Sequence, residues 1–135
     1  MESPAAIAFV ERWKAAVASS DVGAVEPLLT DGVVFRSPVV FAPTRGRGPT
    51  LLLLAAVLEV FGELEYTHAY LDDPGGVTLQ FETTVAGDDG RRLEVEGVDV
   101  FRLDDAGRVT SLTVMLRPLS AVQAVGARMR EQLEV

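Results

Sequence analysis

At Leu64 the spacing of apolar residues in this 135-residue chain changes, and no other feature limits the available folds as strongly. Upstream, Ile7, Val10, Trp13 and Val17 recur at the three-to-four-residue spacing of a helix face. Downstream, apolar residues alternate at the two-residue spacing of strands. Helices first and a run of strands afterwards is the pattern of an α+β domain whose sheet packs against helices.

Ser3 followed by Pro4 predicts an N-cap with proline at the first helical position, and the first helix is expected to reach about Ser19. Asp21 is placed to cap a short second helix that stops near Thr30-Asp31-Gly32. Val33, Val34 and Phe35 read as a short strand ended by Pro38, and 42–48 as a loop. Pro49-Thr50 opens a third helix to about Phe61; Leu51 to Leu54 is apolar all round, which suits a helix buried between layers.

Turn signals at 72–76, 87–90 and 104–107 divide the rest into four antiparallel strands. Ser120 with Gln123 has the spacing of a capping box, and Val122, Val125, Met129 and Leu133 form the apolar stripe of a last helix. The expected architecture is a single domain over 1–135, a cone in which a curved antiparallel sheet wraps the helices around an apolar pocket.

Composition narrows the function. With 48% hydrophobic and 24% charged residues the chain can bury enough apolar surface to fold. Twenty acidic against 12 basic residues, a net charge of −8 and no basic cluster argue against nucleic acid as a partner. Absence of cysteine excludes disulfides and thiolate chemistry, and the lone His68 excludes a multi-histidine metal site; neither metal nor cofactor is expected. Met1-Glu2-Ser3-Pro4 lacks the marks of a signal peptide, and no apolar stretch approaches the roughly 20 residues that cross a bilayer. The expectation is a cytoplasmic protein without membrane contact.

Asp99 is the residue that breaks the pattern. In Leu93 to Leu103 it shares its face with Val95, Phe101 and Leu103, whereas Glu94, Glu96 and Arg102 lie on the other. A carboxylate in an apolar row pays for ionisation, so burial favours its protonated form and marks a candidate acid/base. The alternative is a structural role, capping a buried backbone group or marking a bulge beside Gly97. Trp13 is open to two readings, core anchor or pocket wall with an N–H donor. Alternation groups His68 with Tyr66 and Tyr70, whereas Ala69 and Leu71 argue for the opposite face as the buried side; the sequence leaves His68 unresolved between a surface position and a place in the site, with the surface favoured. On the last strand, Leu112, Val114 and Leu116 face inward, and the half-polar Ser111, Thr113, Met115 and Arg117 suit a homodimer interface on the outer sheet face.

The order of elements, with Arg12-Trp13-Lys14-Ala15-Ala16, the segment Leu29 to Pro38 and the segment Gly97 to Val109, resembles the nuclear transport factor 2-like superfamily over nearly the whole chain. That resemblance implies a cone fold shared by ketosteroid isomerases, SnoaL-type polyketide cyclases, epoxide hydrolases and non-catalytic binders. Against ketosteroid isomerase, Asp99 falls on the oxyanion-donor aspartate, Trp13 on the donor tyrosine and Ser37 on the general-base aspartate. A serine there does not accept a substrate proton unaided, so the resemblance does not carry that isomerase mechanism over. SnoaL-type cyclases use an acidic residue in the corresponding G-x-D strand motif, here Gly97-Val98-Asp99, to close a ring by an aldol reaction. The aspartate-arginine-aspartate set of limonene epoxide hydrolase is not matched, since Arg102 is expected to face outward.

Together these readings predict that Trp13, Phe35, Ser37, Phe81, Phe101, Val114 and Leu116 shape a cavity for a small, mostly apolar or polycyclic molecule, with Asp99 as its acid/base. The competing reading is a non-enzymatic domain that stores a ligand or dimerises.

Overall fold

The computed structural model describes residues 3–72 and 74–133. Met1, Glu2, Asp73, Glu134 and Val135, including one residue of the first turn signal, lie outside the described residues. Among the described residues the order is α1 (Pro4–Ala18), α2 (Val22–Val25), a 3-10 turn (Glu26–Leu28), β1 (Leu29–Arg36), β2 (Thr44–Arg45), α3 (Arg47–Val60), β3 (Glu65–Asp72), β4 (Gly76–Ala86), β5 (Arg92–Leu103), β6 (Val109–Arg117) and α4 (Leu119–Leu133).

Local chemistry explains most of these boundaries. The Ser3 hydroxyl accepts from Ala6 N at 3.4 Å with Pro4 in the first turn, and the Asp21 carboxylate accepts from Ala24 N at 3.2 Å to start α2. The β5–β6 turn is held by Asp104, which accepts from Ala106 N and Arg108 N at 3.0 and 2.9 Å. Where the strands alternate, the sheet follows the sequence: β3, β4, β5 and β6 are antiparallel neighbours.

Several boundaries differ from expectation. Thr30-Asp31-Gly32 does not end a helix; it lies within β1, whose backbone finds partners in β6, and that pairing is parallel. Sheet order is therefore β2-β1-β6-β5-β4-β3, mixed and open instead of wholly antiparallel. The register of β1 on β6 jumps between Leu29 and Val34, and the Thr30 hydroxyl donates to Val109 O at 3.1 Å across the irregularity. Two residues of the expected 42–48 loop form β2, too short to leave a periodic signal. On α1 it is Phe9, not Ile7, that joins Val10 and Trp13 in the core.

The third helix starts at Arg47, and Leu52 is 67% exposed, so α3 is not buried all round; one side faces the core and the other solvent. Ser120 is not a cap, because α4 has already begun at Leu119. Small residues, Ala121, Ala124 and Gly126, flank Val125 on its buried face and bring the helix close to its neighbours, while Leu133 is 40% exposed.

Two buried clusters fill the concave side. One joins Phe9, Trp13 and Val25 to Phe35, Leu79, Phe101 and Leu112; the other joins Phe61, Phe81, Val85 and Val95 to Ala121, Ala124 and Val125 of α4. Phe101 meets the rings of Phe9 and Trp13 edge-on at centroid distances of 4.9 and 4.8 Å, contacts worth about 1 kcal/mol each beyond burial. The clusters part between α3, α4 and the sheet, and the gap is a cavity.

Thr50 of α3 is fully buried, and among the described residues its hydroxyl has no hydrogen-bond partner. Thr50→Val keeps the shape and removes an unsatisfied polar group, so urea unfolding is expected to show a gain of about 1 kcal/mol.

Candidate functional site

The cavity has a volume of about 530 Å³, within the usual range for a small-molecule pocket, and its wall is apolar with few polar groups. Sheet residues Tyr66, Phe81, Asp99, Leu112, Val114 and Leu116 form one side; Trp13 and Val17 of α1, Leu53, Leu54 and Val57 of α3, and Val125, Gly126 and Met129 of α4 form the others. Helix α4 is therefore a cavity wall. Between β1 and β2, Ser37 to Val40 reaches the rim; Val39 and Val40 are 41% and 59% exposed, and the adjoining Phe41 projects fully into solvent.

A short polar chain crosses the apolar interior. Trp13 Nε1 donates to the Tyr66 hydroxyl at 2.8 Å, and that hydroxyl donates to Asp99 Oδ2 at 3.0 Å. An indole N–H can only donate, which turns the phenolic proton toward the carboxylate and gives the chain one direction. Asp99 itself is 7% exposed and lines the cavity. Among the described residues its other oxygen, Oδ1, has no protein partner, so it is the atom left for a ligand.

Burial pushes the Asp99 carboxyl up from 3.8 to about 7, and the hydrogen bond from Tyr66 offsets only part of that rise. Burial, together with the charge of Asp99, holds the Tyr66 phenol well above its usual range, so Tyr66 stays a donor. Near neutrality the site thus holds one carboxyl able to give or take a proton.

Gly97 makes this geometry possible. Beside Asp99 on the same face, a Cβ there would stand 2.7 Å from the Phe81 ring and 2.6 Å from Leu116 Cδ2. Strand β5 runs in unbroken register past Gly97 and Asp99 on both sides, so the carboxylate does not mark a bulge.

The SnoaL-like domain family matches residues 10–112, from within α1 to the first part of β6. The chain belongs to the SnoaL-like domain family. Its structure superposes on a Pseudomonas aeruginosa protein described as a steroid delta-isomerase, with 33% identity, a TM-score of 0.89, and 98% of this chain and 93% of that one covered. A Silicibacter pomeroyi protein with a cystatin-like fold shares 27% identity over 92% of this chain and 84% of its own, with a TM-score of 0.83. The epoxide hydrolase/cyclase-like enzyme of salinomycin pyran-ring formation shares the fold at 20% identity and a TM-score of 0.71, over 83% of this chain and 90% of that one. No curated protein matches the sequence.

Within this SnoaL-like domain, Trp13, Phe35, Ser37, Phe81, Val114 and Leu116 lie on the cavity wall with Asp99. Phe101 does not: it sits behind Trp13, sealed from the cavity by the indole and Phe9, because the concave sheet faces α1 at that level. Trp13 satisfies both of its readings, since it is 3% exposed in the core and also reaches the cavity. The Ser37 hydroxyl is occupied locally, accepting from Val39 N and Val40 N at 3.4 and 3.1 Å. His68 is exposed and stacked on Tyr70, and Arg102 faces out.

Tyr66 is the residue that alternation misplaced. Register slips by one between Tyr66 and His68, with Tyr66 opposite Phe81 and His68 opposite Gln80, leaving Thr67 as an extra residue. The slip turns Tyr66 inward, while His68 and Tyr70 keep the outward face; Leu71 packs on the core, but Ala69, expected buried, is exposed. Among the described residues no cluster of metal-ligating side chains occurs.

The raised carboxyl carries a stability consequence. The folded chain holds the Asp99 proton more tightly than the unfolded chain, so this group costs nothing where both are protonated, and its cost grows as pH rises from about 4 to about 7. At about 1.4 kcal/mol per pH unit of displacement, the ionised form costs the fold a few kcal/mol. Asp99→Asn, which still accepts from Tyr66, is expected to melt above the wild type at pH 8, with the advantage shrinking toward pH 4 in parallel thermal scans.

Proposed function

We propose that this SnoaL-like domain binds a small, mostly apolar, ring-containing molecule in its cavity and that Asp99 exchanges a proton with it. The observation that carries the reading is a single carboxyl, titrating near neutrality, whose free Oδ1 faces an otherwise apolar space of about 530 Å³. The fold is one of ligand binders, cyclases and isomerases, and the resemblance to a steroid delta-isomerase supports a polycyclic ligand.

Protonated Asp99 donates from Oδ1 to a carbonyl oxygen, and Tyr66 fixes the carboxyl by holding Oδ2. In an aldol-type ring closure the proton passes to the oxygen that becomes a hydroxyl, while the attacking carbon loses a proton that returns to the carboxylate. Atoms balance within one substrate molecule, and the change needs no cofactor. Ser37 supplies no second base, which favours one carboxyl serving both steps over an isomerase with separate acid and base.

Thermal-shift screening of polycyclic ketones, followed by turnover assays on any stabilising compound, tests the reading. Binding and turnover are expected to fall as pH rises through about 7, Asp99→Asn to lose at least 100-fold in turnover, and Tyr66→Phe to move the pH limb upward, since its hydrogen bond lowers the carboxyl. Turnover unchanged in Asp99→Asn would remove Asp99 from the chemistry, and a stabilising ligand with no turnover by the wild type would leave a binding domain only.

The outer sheet face supports a second copy of the chain as partner. There Val98 stands opposite Met115 and Val100 opposite Thr113, and Met115 is 56% exposed. Light scattering is expected to give the mass of a dimer for the wild type and of a monomer for Met115→Glu.

A further inference from the structure

Resting on the cavity reading above, the charge around the opening specifies the ligand further. Of the described residues that line the cavity, two carry charge: Asp99 in the interior and Arg130 on α4. Arg130 is exposed and lies where the cavity meets solvent, beside the exposed Val39, Val40 and Leu133. Its guanidinium folds back along α4 over Gly126, so that Nη1 is 3.8 Å from where a Cβ on that glycine would lie, and Val39 Cγ1 is 3.0 Å from the same point. The absent side chain leaves room for the arginine to border the cavity.

Arg128, two residues earlier, is held by Asp88 and Glu131 at 3.0 and 2.9 Å. No carboxylate among the described residues lies within 4 Å of the Arg130 guanidinium. The surrounding wall is poor in acids as well. From Gly32 to Leu58, a stretch that supplies most of β1, the rim loop and most of α3, the sequence has three arginines and no Asp or Glu, although Asp31, just before it in β1, pairs with Arg47 at 2.7 Å. Among the described residues that line the mouth there is thus a guanidinium and no carboxylate.

We propose that the ligand is an apolar ring compound bearing an oxyanion, such as a carboxylate, and that Arg130 holds that group at the mouth while the ring body enters toward Asp99. A guanidinium binds an oxyanion through paired, charge-assisted hydrogen bonds. The reverse orientation would bring the acid group against the one carboxyl of the interior. Arg130 therefore decides which end enters first, and so which ligand atom meets Asp99.

A matched pair of dyes tests this: 8-anilinonaphthalene-1-sulfonate and its uncharged parent N-phenyl-1-naphthylamine. Trp13, the only tryptophan, lines the cavity, so energy transfer from it reports binding to the protein, and loss of the signal in the cavity-filling variant Val114→Phe marks that binding as inside. The wild type is expected to bind the sulfonate about tenfold more tightly than the neutral dye, Arg130→Gln to bring the two to parity without changing the neutral dye's affinity, and Arg130→Lys to keep part of the preference. Equal affinities in the wild type, or a preference that survives in Arg130→Gln, would overturn the proposal. So would an equal loss for both dyes in that variant, the mark of an arginine that only steadies the end of α4. If neither dye takes energy from Trp13, it is the cavity reading itself that fails.

Discussion

Burial of one carboxyl against a phenol that is itself held by an indole is the constraint on which the site depends. Asp99 comes from β5, Tyr66 from β3 and Trp13 from α1, so their contacts tie together three parts of the chain far apart in sequence. Each link has a single sense: the indole cannot accept, the phenol stays protonated, and the carboxylate accepts through Oδ2. What remains is Oδ1, free in an apolar space. Removing the phenol would leave both the indole N–H and Asp99 Oδ2 without their protein partner, which costs more than the hydrogen bonds contribute.

The rest of the fold holds this arrangement open. Phe9 and Phe101 pack against the indole from behind, fixing its ring, while Gly97 lets Phe81 and Leu116 close on the carboxylate's own strand. Helices α3 and α4 cover the concave face without filling it, and small residues on α4 set how near it comes. The result is a molecule that spends stability on an ionisable group inside its core, the trade expected where binding or proton transfer needs a strained electrostatic environment.

Membership in the SnoaL-like family accounts for the cone and cavity but leaves the chemistry to individual side chains. Two details separate this chain from the ketosteroid isomerase pattern its sequence resembles. Ser37, at the position of that family's base, spends its hydroxyl on the turn at 37–40. The donor that reaches the aspartate is a tyrosine of β3, with Trp13 one step further back.

The sequence alone established that helices precede strands, that β3 to β6 form a meander and that Asp99 faces inward, because each follows from periodicity over a run of residues or from a local turn. It also placed Trp13, Phe81, Val114 and Leu116 on the side of the sheet or helix that faces the cavity. Only tertiary structure decided the rest. Parallel pairing of β1 with β6 is a contact between distant segments with no local signature. Tyr66 turned inward because one extra residue at Thr67 shifts the pleat, and a two-residue period cannot be read across a bulge. Phe101 went behind Trp13 and not into the wall because the curvature of the sheet, not the face a residue occupies, determines what covers it.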